Sequence, residues 1–117
     1  MARLISRSAV FTVTAGLAVV VVLVLMLGDQ PSVTAENVAS LLAGRGEAPI
    51  AACAYTDGRG HPLAFSRALF PELRTMHGDK AVWKLLDRHA DAAVDVPVAG
   101  PIPPDINTWE DYEALRA

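Results

Sequence analysis

The stretch Ala18 to Pro31, AVVVVLVLMLGDQP, constrains this chain more than any other: an unbroken apolar run that stops at Gly28-Asp29-Gln30-Pro31. Two structures accommodate it. As a strand it belongs in the middle of a sheet covered on both faces, where parallel strands read as near-continuous valine and leucine. It would then deliver Asp29 to the carboxyl edge of the sheet, the place where open α/β sheets bind their ligands. As a helix it joins the uncharged stretch that starts at Ser8, behind Arg3 and Arg7. Residues 9–27 would then be a single membrane span of about 20 residues, with its basic end held inside. The valine density of the block, and Thr12, Thr14 and Gly16 in the stretch before it, favour the strand. So does the absence of an Ala-x-Ala cleavage site, together with the pattern of short elements that begins directly after Asp29. A cytoplasmic protein is expected, with a small membrane-anchored protein without catalysis as the alternative.

That pattern runs in order. Met1 to Leu17 reads as a moderately amphipathic helix with a break near Gly16, followed by a strand from Val19 to Leu27. Thr34 caps a helix to about Ala43 that has Glu36 in its first turn and is ended by Gly44 and Gly46. Pro49 to Ala54 is a strand, and Asp57-Gly58 signals a hairpin into a short strand at His61 to Phe65. Ser66 caps a helix through Leu69 and Leu73, and Asp79 starts a longer one carrying Val82, Trp83, Leu85 and Leu86. Ala93 to Val98 is a strand, and Pro97, Pro101, Pro103 and Pro104 mark an extended crossing. Thr108 caps a final helix whose Tyr112 and Leu115 are expected to pack inward, with Trp83 and Trp109 as packing residues. Strands alternating with helices predict the α/β class, with a mostly parallel sheet flanked by helices.

At 117 residues the chain forms one domain, burying roughly 65% of its unfolded surface. Its 52% hydrophobic and 20% charged residues place it among globular proteins. With a net charge of -3 and scattered basic residues it offers no footprint for a phosphate backbone, so nucleic acid is not an expected partner. Cys53, the only cysteine, lies in the apolar run Ile50 to Ala54 and reads as a small buried hydrophobe.

Three polar junctions remain as candidate chemistry: Gly28-Asp29-Gln30-Pro31, Gly58-Arg59-Gly60-His61-Pro62 and Asp105-Ile106-Asn107-Thr108. Asp29 at a strand end suits a hard divalent cation, which takes carboxylate oxygens together with substrate phosphates. It equally suits an Asx-type turn. Gly28 would let backbone approach a ligand closely. Asp105 and Asn107 alternate around Ile106, so in extended backbone they share one side. Asp105 there either completes a cation site with Asp29 or precedes the helix cap. His61, held between Gly60 and Pro62, either donates to a ligand oxygen or is an ordinary hairpin residue. Arg59 and Arg67 could meet phosphate or lie on the surface. His77 and His89 lack partners at metal-ligand spacing and read as surface or helix-end residues.

GDQP at 28–31, GRGHPLAFSRALFPEL at 58–73, GD at 78–79 followed by AVWKLLDRH, and DINTWEDYEAL at 105–115 together resemble the C-terminal half of the MobA-like nucleotidyltransferases. The branch most similar is the molybdenum cofactor cytidylyltransferases. The resemblance implies a Rossmann-like enzyme that joins the α-phosphate of CTP, or GTP in sister branches, to a molybdopterin-type phosphate with Mg2+ and releases pyrophosphate. It carries the metal onto Asp29 and Asp105, with Asn107 beside them, and places His61 on the acceptor side with Gly28 at the ligand. The family opens with a glycine-rich loop of the type LAGGxSxRMGxxK, and residues 1–28 hold nothing like it. Asn107 stands where this branch usually has aspartate, and Trp109 where the family usually has proline. The expectation is therefore a single partial domain over 1–117 that lacks the nucleotide loop, with transfer activity in doubt. An under-covered 18–27 strand would then seek a protein partner or a second copy.

Overall fold

The computed structural model describes residues 3–5, 8–15, 20–78 and 80–116. Its centre is a six-stranded sheet: β1 (Arg3–Ile5), β2 (Ser8–Ala15), β3 (Val20–Leu27), β4 (Ile50–Tyr55), β5 (Gly58–Ser66) and β6 (Ala93–Pro97), in the spatial order β1-β2-β3-β5-β4-β6. The helices are α1 (Ala35–Arg45), α2 (Phe70–Arg74, entered through a 3-10 turn at Arg67–Leu69), α3 (Ala81–Arg88) and α4 (Trp109–Arg116).

The α/β class is as expected, but the sheet is mixed and not mostly parallel. Among the described residues only β4 with β6 is parallel, while β1/β2, β2/β3, β3/β5 and β4/β5 are antiparallel. An apolar run reports that both faces of a strand are covered and says nothing about its direction. Both faces are covered here. Val22, Val24, Ala51, Cys53 and Val96 point to the side of Leu41 from α1. Ile50, Ala52, Leu63 and Phe65 point to the side of Leu85 and Leu86 from α3. Adjacent β4 residues therefore feed opposite cores, which is the period-2 alternation of a pleated strand. Cys53 is fully buried, as its surroundings in the sequence predict, and burial pushes its thiol up to about 11 against a smaller opposing hydrogen bond from Tyr55.

Four further expectations change. The N-terminal helix is instead β1 and β2, because SAVFTVTA pairs residue for residue with β3 from Ser8↔Leu27 to Ala15↔Val20, and β-branched residues suit that pleated surface. The break at Gly16 and the helix start at Asp79 lie outside the described residues. Gly44 does not end α1 but sits inside it against Val96, and Gly46, at φ 56°, is the C-cap. Ser66 ends β5, and its hydroxyl caps nothing. Finally, α4 does not pack inward: Trp109 is 67% exposed, with Tyr112 and Leu115 also exposed. Its aromatics stack on each other instead, Trp109 and Tyr112 with centroids 5.0 Å apart and the Arg116 guanidinium 5.9 Å from the Tyr112 ring.

The caps of α1 and α4 follow the sequence. Thr34 Oγ1 accepts from the Asn37 amide at 3.2 Å while Asn37 Oδ1 accepts from the Thr34 amide at 2.9 Å, a reciprocal capping box. Thr108 Oγ1 accepts from the Asp111 amide at 3.1 Å. Among the described residues no helix is long and apolar enough to cross a membrane, and residues 20–27 of the proposed span are β3.

Candidate functional site

The end of β3 and the proline-rich crossing meet. After Leu27 the chain turns through Gly28 and Asp29, with the Gln30 amide donating to the Leu27 carbonyl at 3.3 Å. The crossing leaves β6 with the Val98 amide on the Ala54 carbonyl at 3.0 Å. It is held to the β4–β5 turn by the Ile102 amide donating to Asp57 Oδ1 at 2.8 Å. It then reaches the β3 end, where the Ile106 amide donates to the Asp29 carbonyl at 2.7 Å. Residues far apart in sequence, Asp29 and Asp105, are thereby brought to one edge.

Gln30 joins them. Its side chain is buried, 7% exposed, and its Nε2 donates to Asp105 Oδ1 at 2.8 Å and to the Pro103 carbonyl at 3.2 Å. His61, 6% exposed, lies on β5, which pairs directly with β3. Its backbone carbonyl accepts from the Tyr55 hydroxyl, and its ring meets Trp83 edge-on at 5.4 Å. Burial pushes the His61 pKa below its usual value of 6.5, while the carboxylates of Asp105 and Asp29 pull it partly back. Burial thus favours the uncharged imidazole. In the β3/β5 register Leu63 lies opposite Leu25, so His61 stands beside the end of β3 that leads into Asp29.

Two buried polar atoms of this cluster, His61 Nε2 and Gln30 Oε1, have no hydrogen-bond partner among the described residues. Buried polar atoms are nearly always satisfied, so such a pair marks room for a ligand or ordered water. An open cleft of about 460 Å³, lined by Thr34, Asn37, Tyr55, Ile102 and Pro103, borders the crossing and holds none of Asp29, Asp105 or His61.

The structure thus brings together Asp29, Asp105 and His61, with Gly28 exposed in the adjoining turn. Asn107 is one step away at the start of α4, where its amide donates to Asp111 Oδ2 at 3.0 Å. That contact, with Thr108, holds the Asp111 carboxyl below the usual range. Arg59 is not directed at this edge: it pairs with Asp95 at 2.8 Å. His89, a helix-end residue as expected, caps α3 and bonds Glu72 at 3.0 Å. Sequence reasoning passed over Gln30, whose only signal was its place inside GDQP between the acid and the proline. It also took Trp83 for general packing, although Trp83 packs specifically on the His61 ring.

Asp29 and Asp105 supply hard oxygen donors suited to Mg2+, Mn2+ or Ca2+. Among the described residues no group of three or more His, Cys, Asp or Glu is arranged to hold a metal. Two carboxylates fit an ion of the Mg2+ type, which keeps waters and takes substrate phosphates for the rest of its shell.

Residues 8–93 match the sequence profile of the MobA-like NTP transferase domain. No curated protein sequence matches. Among solved structures, the chain is similar to the homolog of Rv0371c from Mycobacterium sp. strain JC1, at 49% identity and TM-score 0.71, covering 79% of this chain and 46% of that one. It is also similar to Rv0371c of Mycobacterium tuberculosis, at 43% identity and TM-score 0.70, covering 79% of this chain and 49% of that one. A manganese complex of the same M. tuberculosis protein gives 43% identity and TM-score 0.69, covering 79% and 50%. The chain spans about half the length of these neighbours.

Proposed function

The chain belongs to the MobA-like NTP transferase family, and from that premise we propose that it is the acceptor-side and metal-holding part of a nucleotidyltransferase domain. The reaction is transfer of CMP, or GMP, from the nucleoside triphosphate to the terminal phosphate of a molybdopterin-type cofactor. An acceptor phosphate oxygen forms a bond to the α-phosphorus, the bond from that phosphorus to the bridging oxygen breaks, and pyrophosphate leaves with the electron pair. Residues 1–28 hold no glycine-rich loop of the kind that cradles a triphosphate, and the part proposed for this chain is the acceptor and metal side. The cytoplasm, where nucleoside triphosphates are made, is the compartment this reaction needs.

The observation that carries this reading is the convergence at the β3 end, where the Ile106 amide closes on the Asp29 carbonyl at 2.7 Å and seats Asp105 beside the turn. Asp29 and Asp105 would hold Mg2+, and the manganese complex of the M. tuberculosis neighbour supports a divalent cation of this size. When bound, such an ion neutralises charge on the phosphates between which the group passes. Asp29 and Asp105 supply anionic oxygens at this edge. Gly28, having no side chain, leaves the turn open to the ligand. His61, buried and neutral, presents Nε2 to the acceptor without adding charge. Asn107, two residues after Asp105 and just before α4, would complete the ligand side.

The test is equilibrium binding of CTP and GTP with and without Mg2+. Asp29→Ala lowers the Mg2+-dependent affinity by at least about 10-fold, the least that losing a partner in a metal site is worth. Whichever base binds tighter identifies the nucleotide. Mg2+-dependent binding that is unchanged in Asp29→Ala rejects the reading.

A further inference from the structure

We propose that Gln30 is a positioning residue that clamps Asp105 into place, so that one turn after β3 both carries the first acid and fixes the second. Asp105 lies in a segment with no helix or strand of its own, residues 98–107. Nothing regular therefore sets where its carboxylate points. Two links tie this end of the segment to β3: the Ile106 amide on the Asp29 carbonyl at 2.7 Å, and the Gln30 side chain on Asp105 Oδ1 at 2.8 Å and the Pro103 carbonyl at 3.2 Å. The first holds the backbone, and the second reaches the carboxylate and, through the Pro103 carbonyl, also holds the crossing against the turn.

The chemistry of the amide suits this task. Both groups that Gln30 faces are acceptors, a carbonyl and a carboxylate, so its NH2 must lie toward them and its oxygen away. The orientation is thus dictated by its partners, and Oε1 is the atom left buried without one among the described residues. A neutral donor occupies one lone pair of Oδ1 and leaves the charge of Asp105 available to a cation. A lysine or arginine in its place would hold the carboxylate by neutralising it. Gln30 is also next to Asp29 in the chain, so any movement of the turn shifts both acids together. His61, whose ring feels both carboxylates, faces the same unit from β5.

The proposal rests on the reading of Asp105 as a metal-holding residue, and its test separates the two ideas. Gln30→Met keeps length and removes the hydrogen bonds; should it not fold, Gln30→Asn, one methylene short of both acceptors, takes its place with the same expectations. The first readout, in metal-free buffer, is amide hydrogen exchange. The Ile106 amide exchanges faster in the variant, while those of Thr56 and Val98, bonded to Gly100 and Ala54 at the far end of the crossing, do not change. The second readout is Mn2+ affinity. Gln30→Met weakens it by about 10- to 100-fold, as loss of an outer partner of a metal ligand does. In an Asp105→Ala background the same substitution changes nothing further, because Gln30 acts through Asp105. An unmoved Ile106 amide overturns the clamp, and so does an equal loss of Mn2+ affinity in both backgrounds. A native chain that takes up no Mn2+ overturns the metal reading, while the exchange at Ile106 still decides the role of Gln30.

Discussion

Burial acts on His61 and Cys53 in the same sense, against the charged form of each. For His61 this makes a prediction about stability. Its folded pKa lies below 6.5 and its unfolded pKa near it, so between those values the unfolded chain binds more protons. The contribution of the neutral ring is complete above that range and is lost as pH falls through 6.5 toward the folded value. Urea unfolding midpoints measured in EDTA from pH 8 to pH 5 will therefore decline on the acid side, and His61→Phe, which does not titrate, will flatten that decline. A slope the same in both proteins contradicts the account. Single residues were also where the sequence was least legible. Tyr112 and Leu115 sit at helical spacing on an apolar stripe, and spacing carries no information about whether a partner surface lies beneath. Gln30 was assigned no role because its partners, Pro103 and Asp105, lie over seventy positions away.

Elements were legible wherever local chemistry decided them. Thr34 with Asn37, and Thr108 with Asp111, set the starts of α1 and α4 through contacts three residues apart. The Asp57-Gly58 signal marked the β4–β5 hairpin, whose turn residues are Thr56 and Asp57. Elements decided by distant partners were not legible. Ser8 to Ala15 becomes a strand because β3 pairs with it, and no feature of the first seventeen residues announces that partner. Gly44 is a case in which both levels bear on one atom. It reads as a helix terminator, yet a Cβ there would stand 2.5 Å from Val96 Cγ1, so α1 can approach β6 only because that Cβ is missing. Val96 is β-branched and buried and has little freedom to move aside. Gly44→Ala gains about 1 kcal/mol of helix propensity, yet overpacking of this kind costs about 1–3 kcal/mol. The expected outcome is a Tm lower by a few degrees, whereas a higher Tm in thermal unfolding would show that α1 and β6 are not in this contact.

At the scale of the whole molecule, a mixed sheet with α1 on one face and α2 and α3 on the other brings the carboxyl end of β3, the middle of β5 and the returning crossing to one edge. That edge was legible in outline. GDQP, GHP and the DINT segment each carried a polar residue at an expected element end, and the fold gathers the three, although β5 starts at Gly58 and so holds His61 in its interior. Their order in space was not legible, because it depends on β5 lying between β3 and β4. The central claim is that Asp29 and Asp105 form one cation site in a domain of the MobA-like NTP transferase family. Titration of the purified chain with Mn2+, followed by electron paramagnetic resonance, tests it most directly. The account predicts a single site of measurable affinity, weakened by Asp29→Asn and by Asp105→Asn alike, with native hydrogen-exchange patterns retained in both variants. Mn2+ uptake that is indifferent to both substitutions, or no uptake by the native chain, would contradict it.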